Sequence, residues 1–250
     1  MKFKLNKTDF YKSKPFTVFE INNFCSDDLY FNLKKDFPNK SYFTDNIKSS
    51  SKDIFTCQDP EFKKFIEKNS SWKYFYENIK SEDFIKSAYF FSLIPSLKSR
   101  GLKALKIWTL KEPKSIIKKL FFRKVDILFN FSRITKNKKV MPHTDASSKL
   151  FSMIYYFAND NWTEKEGGNT NFWDIKQNFS KWLNWKNLHV RDENYNDFIN
   201  DNYIWHKSIF TKNKMVGFIK SDRSWHSVDN INLKEGSARE VLNIFIKRVD

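Results

Sequence analysis

Residues 16–21, Phe-Thr-Val-Phe-Glu-Ile, form a short run of β-branched and aromatic side chains that Asn22-Asn23 ends, which predicts a strand. Ser26 then stands where an N-cap belongs, with Asp27 and Asp28 in the first turn and Leu29, Phe31 and Leu33 as apolar positions. A helix is predicted to run to about Phe37 and stop at Pro38. Asp59-Pro60 reads as a cap with proline at the first helical position, Ser71 and Ser81 begin two further helical stretches, and Gly101 closes the region. From about residue 123 the period changes to two. Val125, Ile127, Phe129 and Phe131 share one face, while Asp126, Asn130 and Ser132 share the other, the mark of a half-buried strand. Residues 150–157, 215–219 and 241–246 are equally strand-like. Long segments separate these strands, notably 174–208, so simple hairpins do not account for the sheet. The expected class is α+β, mostly β with flanking helices: a jelly roll or comparable double-sheet barrel with an N-terminal helical region packed outside. No internal repeat and no Gly/Ser/Pro-rich linker divides the 250 residues, so one domain over 1–250 is expected. Its strand and helices would occupy 1–122 and its core 123–250, with an insertion at about 174–208.

Composition sharpens the picture in three respects. With 40% hydrophobic and 18% aromatic residues the chain has enough apolar surface for a real core, which excludes disorder along its whole length. No uncharged apolar run approaches the roughly 18 residues of a membrane span, and Met1-Lys2-Phe3-Lys4 lacks the apolar stretch of a secretory signal, so a soluble, cytoplasmic protein is expected. Two cysteines, Cys25 and Cys57, make neither a disulfide framework nor a four-thiolate site. Any metal must then be held by His and carboxylate. The formal net charge of +16 raises nucleic acid or an anionic surface as partners. Only 7 of the 45 basic residues are Arg, however, and the lysines are spread in ones and twos, the pattern of a solvated surface.

Four histidines, at 143, 189, 206 and 226, leave few ways to build a His-dependent site. In His143-Thr144-Asp145 the imidazole and carboxylate are two apart, so in extended backbone they point the same way and can grip one cation. Gly167-Gly168-Asn169-Thr170-Asn171-Phe172 uses two of only five glycines side by side, which calls for a tight turn or a close backbone approach. Ser224-Trp225-His226-Ser227-Val228 places a histidine beyond the end of the 215–219 strand. Arg239 shares a face with Val241, Asn243 and Phe245, and an inward arginine needs an anion.

Taken in order, His143-x-Asp145, Gly167-Gly168-x-Thr170-x-Phe172, Trp225-His226-x-Val228 and Arg239 resemble the iron(II)- and 2-oxoglutarate-dependent dioxygenases, especially their prolyl-4-hydroxylase-like branch. The opening Lys14–Phe24 stretch, followed by a helix ending Asp36-Phe37-Pro38, is similar to the lead-in of many such enzymes. The resemblance implies a double-stranded β-helix and an enzyme using Fe(II), 2-oxoglutarate and O2, with ascorbate as a stimulant. It implies that His143, Asp145 and His226 bind the iron and are the catalytic set, while Arg239 pairs with the far carboxylate of 2-oxoglutarate. Two imidazoles and one carboxylate fill one face of an octahedron and leave three positions open, which suits that assignment. The implied reaction is hydroxylation of a substrate C–H bond with decarboxylation of 2-oxoglutarate to succinate. Asp145 stands where halogenating relatives have a small residue, which favours hydroxylation.

Two departures from the family pattern bear on the co-substrate. Many relatives have a tyrosine where this chain has Ile134, so a second contact must come from elsewhere, with Tyr155 or Tyr156, and Thr170, as candidates. Arg239-Glu240-Val241 also lacks the serine that some relatives carry two residues past the arginine. His189 and His206 lie in the segment without a family counterpart and are not expected to bind the iron; that segment is expected to form a lid or substrate wall. The expected partner is a small-molecule or peptide substrate, namely a metabolite, a glycan or lipid intermediate, or a prolyl-type side chain, with no membrane span. A nucleic-acid oxidative demethylase and a non-catalytic jelly-roll binding module are the competing readings; the absence of an Arg cluster near the distal strand disfavours nucleic acid.

Overall fold

The computed structural model describes residues 3, 5, 8–43, 52–135, 139–176, 189–232 and 237–249. Along the chain run β1 (Phe10–Lys12), β2 (Val18–Ile21), α1 (Asp27–Lys35), β3 (Asp53–Thr56), α2 (Phe62–Lys68), α3 (Ser70–Ile79), α4 (Glu82–Arg100), β4 (Ile107–Thr109) and α5 (Ile116–Phe121). There follow β5 (Phe122–Thr135), β6 (Val140–His143), β7 (Lys149–Tyr156), β8 (Thr170–Asp174), α6 (Tyr195–Asp201), β9 (Tyr203–Ser208), β10 (Met215–Ile219), β11 (Trp225–Val228) and β12 (Ala238–Arg248).

The strands form a large sheet in the order β1-β2-β10-β7-β12-β5-β3, with β4 beside β5, and a smaller sheet in the order β6-β11-β8-β9. All pairs are antiparallel except β4 with β5. From β5 onward the chain alternates between them: β5 large, β6 small, β7 large, β8 and β9 small, β10 large, β11 small, β12 large. That winding is a double-stranded β-helix, the jelly roll of the sequence expectation, and it faces two sheets across one interior.

Alternation along the large sheet decides what each face meets. Val125, Ile127, Phe129 and Phe131 of β5, Met153 and Tyr155 of β7, and Leu242, Ile244 and Ile246 of β12 all join the aromatic core under α1, α3 and α4. Trp72 of α3 is fully buried there, its ring 4.8 Å from Phe131, and its indole N–H donates to the Asp36 carbonyl at 2.9 Å. The opposite face, with Ser132, Ile134, Ser152, Ile154, Val241 and Asn243, lines the interior between the sheets.

Local signals set some helix ends and not others. Ser81 Oγ accepts from Phe84 N–H at 3.2 Å to start α4, and Gly101, at φ 57°, ends it. Ser26 precedes α1 but its side chain makes no capping bond. Asp59 does not cap α2. Its carboxylate accepts from Thr56 N–H at 2.5 Å in a turn, and the helix begins only at Phe62. α3 begins at Ser70, with Asn69 rather than a serine in the cap position. Of the 174–208 segment, 177–188, with Trp182 and Trp185, lies outside the described residues, and Tyr203–Ser208 forms the edge strand β9 of the small sheet, paired with β8. No helix among the described residues is long and apolar enough to cross a membrane.

Candidate active site

Three short elements bring the candidate metal ligands together. His143 ends β6 and His226 lies inside β11, where the two residues are direct cross-strand partners with ring centroids 4.3 Å apart. The sequence reading put His226 beyond a strand end; it belongs instead to a second, four-residue strand. The β6–β11 register slips between His226 and Val228, a bulge of the kind that re-aims side chains beside sites. Asp145 follows β6 by two residues, and its Oδ2 accepts from Ser152 Oγ of β7, on the other sheet, at 2.5 Å. One donor atom from each of His143, Asp145 and His226 lies within 4.8 Å of the others, and among the described residues they form the group suited to a metal ion.

The hydrogen bonds around the imidazoles fix which nitrogen faces the cavity. His143 Nδ1 is 2.8 Å from the Met141 carbonyl, and His226 Nδ1 is 3.1 Å from the Ser224 carbonyl. A carbonyl only accepts, so each Nδ1 carries the proton and each Nε2 keeps a free lone pair, the arrangement a metal requires. Burial holds His143 well below the ordinary histidine pKa, with the neighbouring His226 adding to the effect, and burial likewise lowers His226. Burial pushes the Asp145 carboxyl up, but the charge and hydrogen bond of Lys149 lead the opposing effects, and the group is held below the usual carboxylate range. Two neutral imidazoles and one carboxylate therefore meet at one point, a donor set that fits a divalent iron ion.

Arg239 is 2% exposed, in a position prepared by the glycine pair. Gly167 and Gly168 have φ of 69° and 78°, and a Cβ at Gly168 would press on the Arg239 side chain while one at Gly167 would strike the Asn230 carbonyl. Arg239 Nε donates to the Gly168 carbonyl at 2.5 Å, and Nη2 to Thr170 Oγ1 at 3.1 Å. Tyr156 O–H donates to the same Thr170 oxygen at 2.7 Å. Arg239, Thr170 and the three candidate ligands all line one cavity of about 70 Å³ between the sheets. Tyr156 stands behind Thr170. Tyr155 is not in this site, which corrects its candidacy: it lies on the opposite face of β7, donating to Asn213 Oδ1 at 2.7 Å and stacking on Phe75 at 5.8 Å. Ile134 does line the cavity and brings no polar group to it.

Two lysines in the lining had no signal in sequence. Lys149 Nζ is 2.5 Å from Asp145 Oδ1 and 3.3 Å from the centre of the Phe245 ring. Its spacing from Asp145, four residues, is visible in the chain but means nothing until a turn brings β7 back over the site. Lys52, just before β3, reaches the same cavity, where burial first and then Lys149 lower its pKa to about 8. The lining thus carries Lys52, Lys149 and Arg239 against Asp145, a positive surround for an anion.

The other two histidines stand apart from the donor set. His206 Nε2 is 3.0 Å from Glu20 Oε1 and stacks on Phe10 at 4.1 Å. His189 bridges His143 through the backbone, but its ring centroid is 6.1 Å away and it is outside the donor group. A larger cleft of about 500 Å³, lined by residues such as Tyr11, Pro15, Lys98 and Arg223, contains none of these donors.

The model of the 2OG-Fe(II) oxygenase superfamily matches residues 129–247, which hold all four motif residues His143, Asp145, His226 and Arg239. No curated protein matches the chain. Among solved structures it is similar to a Pseudomonas putida prolyl-4-hydroxylase, at 13% identity over 93% of this chain and 92% of that one, with a TM-score of 0.48. It is also similar to a prolyl hydroxylase from Trichoplax adhaerens in complex with a hypoxia inducible factor oxygen degradation domain peptide fragment, at 12% identity over 92% and 83% of the two chains, with a TM-score of 0.49. A prolyl 4-hydroxylase from Phytophthora capsici is similar at 13% identity over 93% of this chain and 59% of that one, with a TM-score of 0.49. The matched stretch runs from within β5 to within β12 and is similar to that superfamily over just under half of the chain.

Proposed function

We propose that this protein is an iron(II)- and 2-oxoglutarate-dependent dioxygenase that hydroxylates a C–H bond of its substrate. The observation that carries the reading is the convergence of His143, Asp145 and His226 on the cavity that Arg239 also lines. Nε2 of each histidine and a carboxylate oxygen of Asp145 hold the metal. Iron and 2-oxoglutarate, once bound, supply the oxidising chemistry, in which the co-substrate is decarboxylated to succinate. The protein's part is positioning. The Met141 and Ser224 carbonyls fix the imidazole tautomers, Ser152 orients the carboxylate, and Thr170 with the Gly168 carbonyl holds the Arg239 guanidinium. Arg239 receives the far carboxylate of 2-oxoglutarate, and the cationic lining suits a dianion. Ile134, Ile154, Phe218, Val228 and Val241 are among the apolar residues of the wall and limit the access of water to the site.

The substrate class belongs to this same proposal: a small metabolite, a glycan or lipid intermediate, or a prolyl-type side chain. Anaerobic titration with iron(II) and 2-oxoglutarate tests the chemistry. A visible charge-transfer band of the chelated co-substrate is expected, and its loss in His143→Ala. Folded wild-type protein without the band overturns the proposal. Succinate release screened against metabolite and peptide pools then identifies the substrate.

A further inference from the structure

Helix α5, Ser-capped through Ser115 Oγ and Lys118 N–H at 3.2 Å, contains Ile116, Ile117, Leu120 and Phe121 and buries none of its residues. Those four side chains are 62–83% exposed. A six-residue helix is too short to be stable alone in water, and its apolar side chains gain nothing from solvent. The exposure also continues beyond the helix. β4 runs parallel to the start of β5 with Ile107 opposite Phe122, both exposed, and Leu102 is 80% exposed just upstream. Lys106 Nζ donates to the Lys119 carbonyl at 3.0 Å, which ties the 101–107 segment to α5. The result is one apolar patch, well beyond the scattered single side chains of an ordinary surface.

Its charge is as one-sided as its hydropathy. Residues 102–124 hold eight basic side chains and one acidic, a net +7 within 23 residues of a chain whose total is +16. The single acid, Glu112, is itself shared between Lys119 at 3.8 Å and Lys124 at 3.2 Å. Lys103, Lys111, Lys114 and Lys118 are exposed around the apolar side chains. The basic group is thus local in sequence, and it shares its segment with the exposed apolar side chains of α5.

We propose that the face made by residues 102–124 docks on an anionic lipid bilayer, with the apolar side chains of α5 inserted at the headgroup boundary and the lysines on the phosphates. Both halves of the patch are used by that partner. A second copy of the chain would bury the apolar side chains but bring two +7 surfaces together, and a nucleic acid would satisfy the lysines while leaving Ile116, Ile117, Leu120 and Phe121 in water. The docking is independent of the reaction proposed above.

Co-sedimentation of the full chain with vesicles tests it. Binding is expected to phosphatidylcholine vesicles containing about a third phosphatidylserine, at least about tenfold tighter than to phosphatidylcholine alone and weakening as salt rises. The double variants L120E/F121E and K114E/K118E should each lose at least about tenfold in partitioning while their thermal melting stays at the wild-type temperature, because all four side chains are exposed. Absence of binding to the anionic vesicles overturns the proposal. So does a wild-type dimer in analytical ultracentrifugation that L120E/F121E dissolves, which would assign the patch to self-association, or single-stranded RNA binding that L120E/F121E leaves unchanged while K114E/K118E abolishes it.

Discussion

The two faces of the large sheet are built by the same strands and share almost nothing chemically. On β5, β7 and β12 one set of alternate residues, including Phe129, Phe131, Tyr155 and Leu242, meets the helices in a fully buried aromatic layer. The other set, including Ser132, Ser152, Asn243 and Arg239, faces the cavity. One face therefore supplies cohesion and the other supplies chemistry, separated by the thickness of a single strand. A β-strand makes this division without cost, because successive side chains point opposite ways. It also means that a change on either face should leave the other's property intact.

The largest effect belongs to the helix face. Trp72→Ala should cost about 3–5 kcal/mol of stability, since it empties a fully buried indole site against Phe131, while the iron and 2-oxoglutarate titration of the folded fraction is unchanged. Urea unfolding measures the first and the visible band the second. On the cavity face, Arg239→Lys keeps the charge but loses the paired geometry to Gly168 and Thr170, and should weaken 2-oxoglutarate by roughly 10- to 100-fold with iron binding alone retained. The neighbouring tyrosines test the division residue by residue. Tyr156→Phe removes a hydroxyl from Thr170 and should weaken 2-oxoglutarate several-fold, whereas Tyr155→Phe removes a bond to Asn213 and should cost about 1 kcal/mol in unfolding with the titration unmoved. A Tyr155→Phe protein with impaired co-substrate binding would break the comparison. The smallest effect is expected from Lys149→Met. An ammonium beside Asp145 repels a cation on the same carboxylate by about 1 kcal/mol at high dielectric, so iron should bind roughly five-fold more tightly. Weaker binding would show that Lys149 serves to orient Asp145.

Legibility followed length and regularity. The strand at β5 is readable because Val125, Ile127, Phe129 and Phe131 alternate with Asp126, Asn130 and Ser132, and α4 because Ser81 and Gly101 punctuate it. The small sheet is nearly invisible in sequence: β6 and β11 have four residues each and spend them on Pro142, His143, His226 and Ser227, so no alternation of apolar and polar survives. Its strands are recognised by what they pair with. The candidate ligands could be named from motif and order, yet Lys52, Lys149 and Ser152, which surround Asp145, could not, since none belongs to a motif.

What the chain determined by itself is local: period-two runs, helix caps, a glycine pair, and the four residues that mark the family. Which of Tyr155 and Tyr156 faces the cavity, and how His143 and His226 become cross-strand neighbours from positions 83 apart, were decided only in three dimensions. The physical reason is common to both. Alternation specifies that two faces differ but not which one turns inward, and that choice is made by the element packed against the strand, through contacts between residues far apart in the chain.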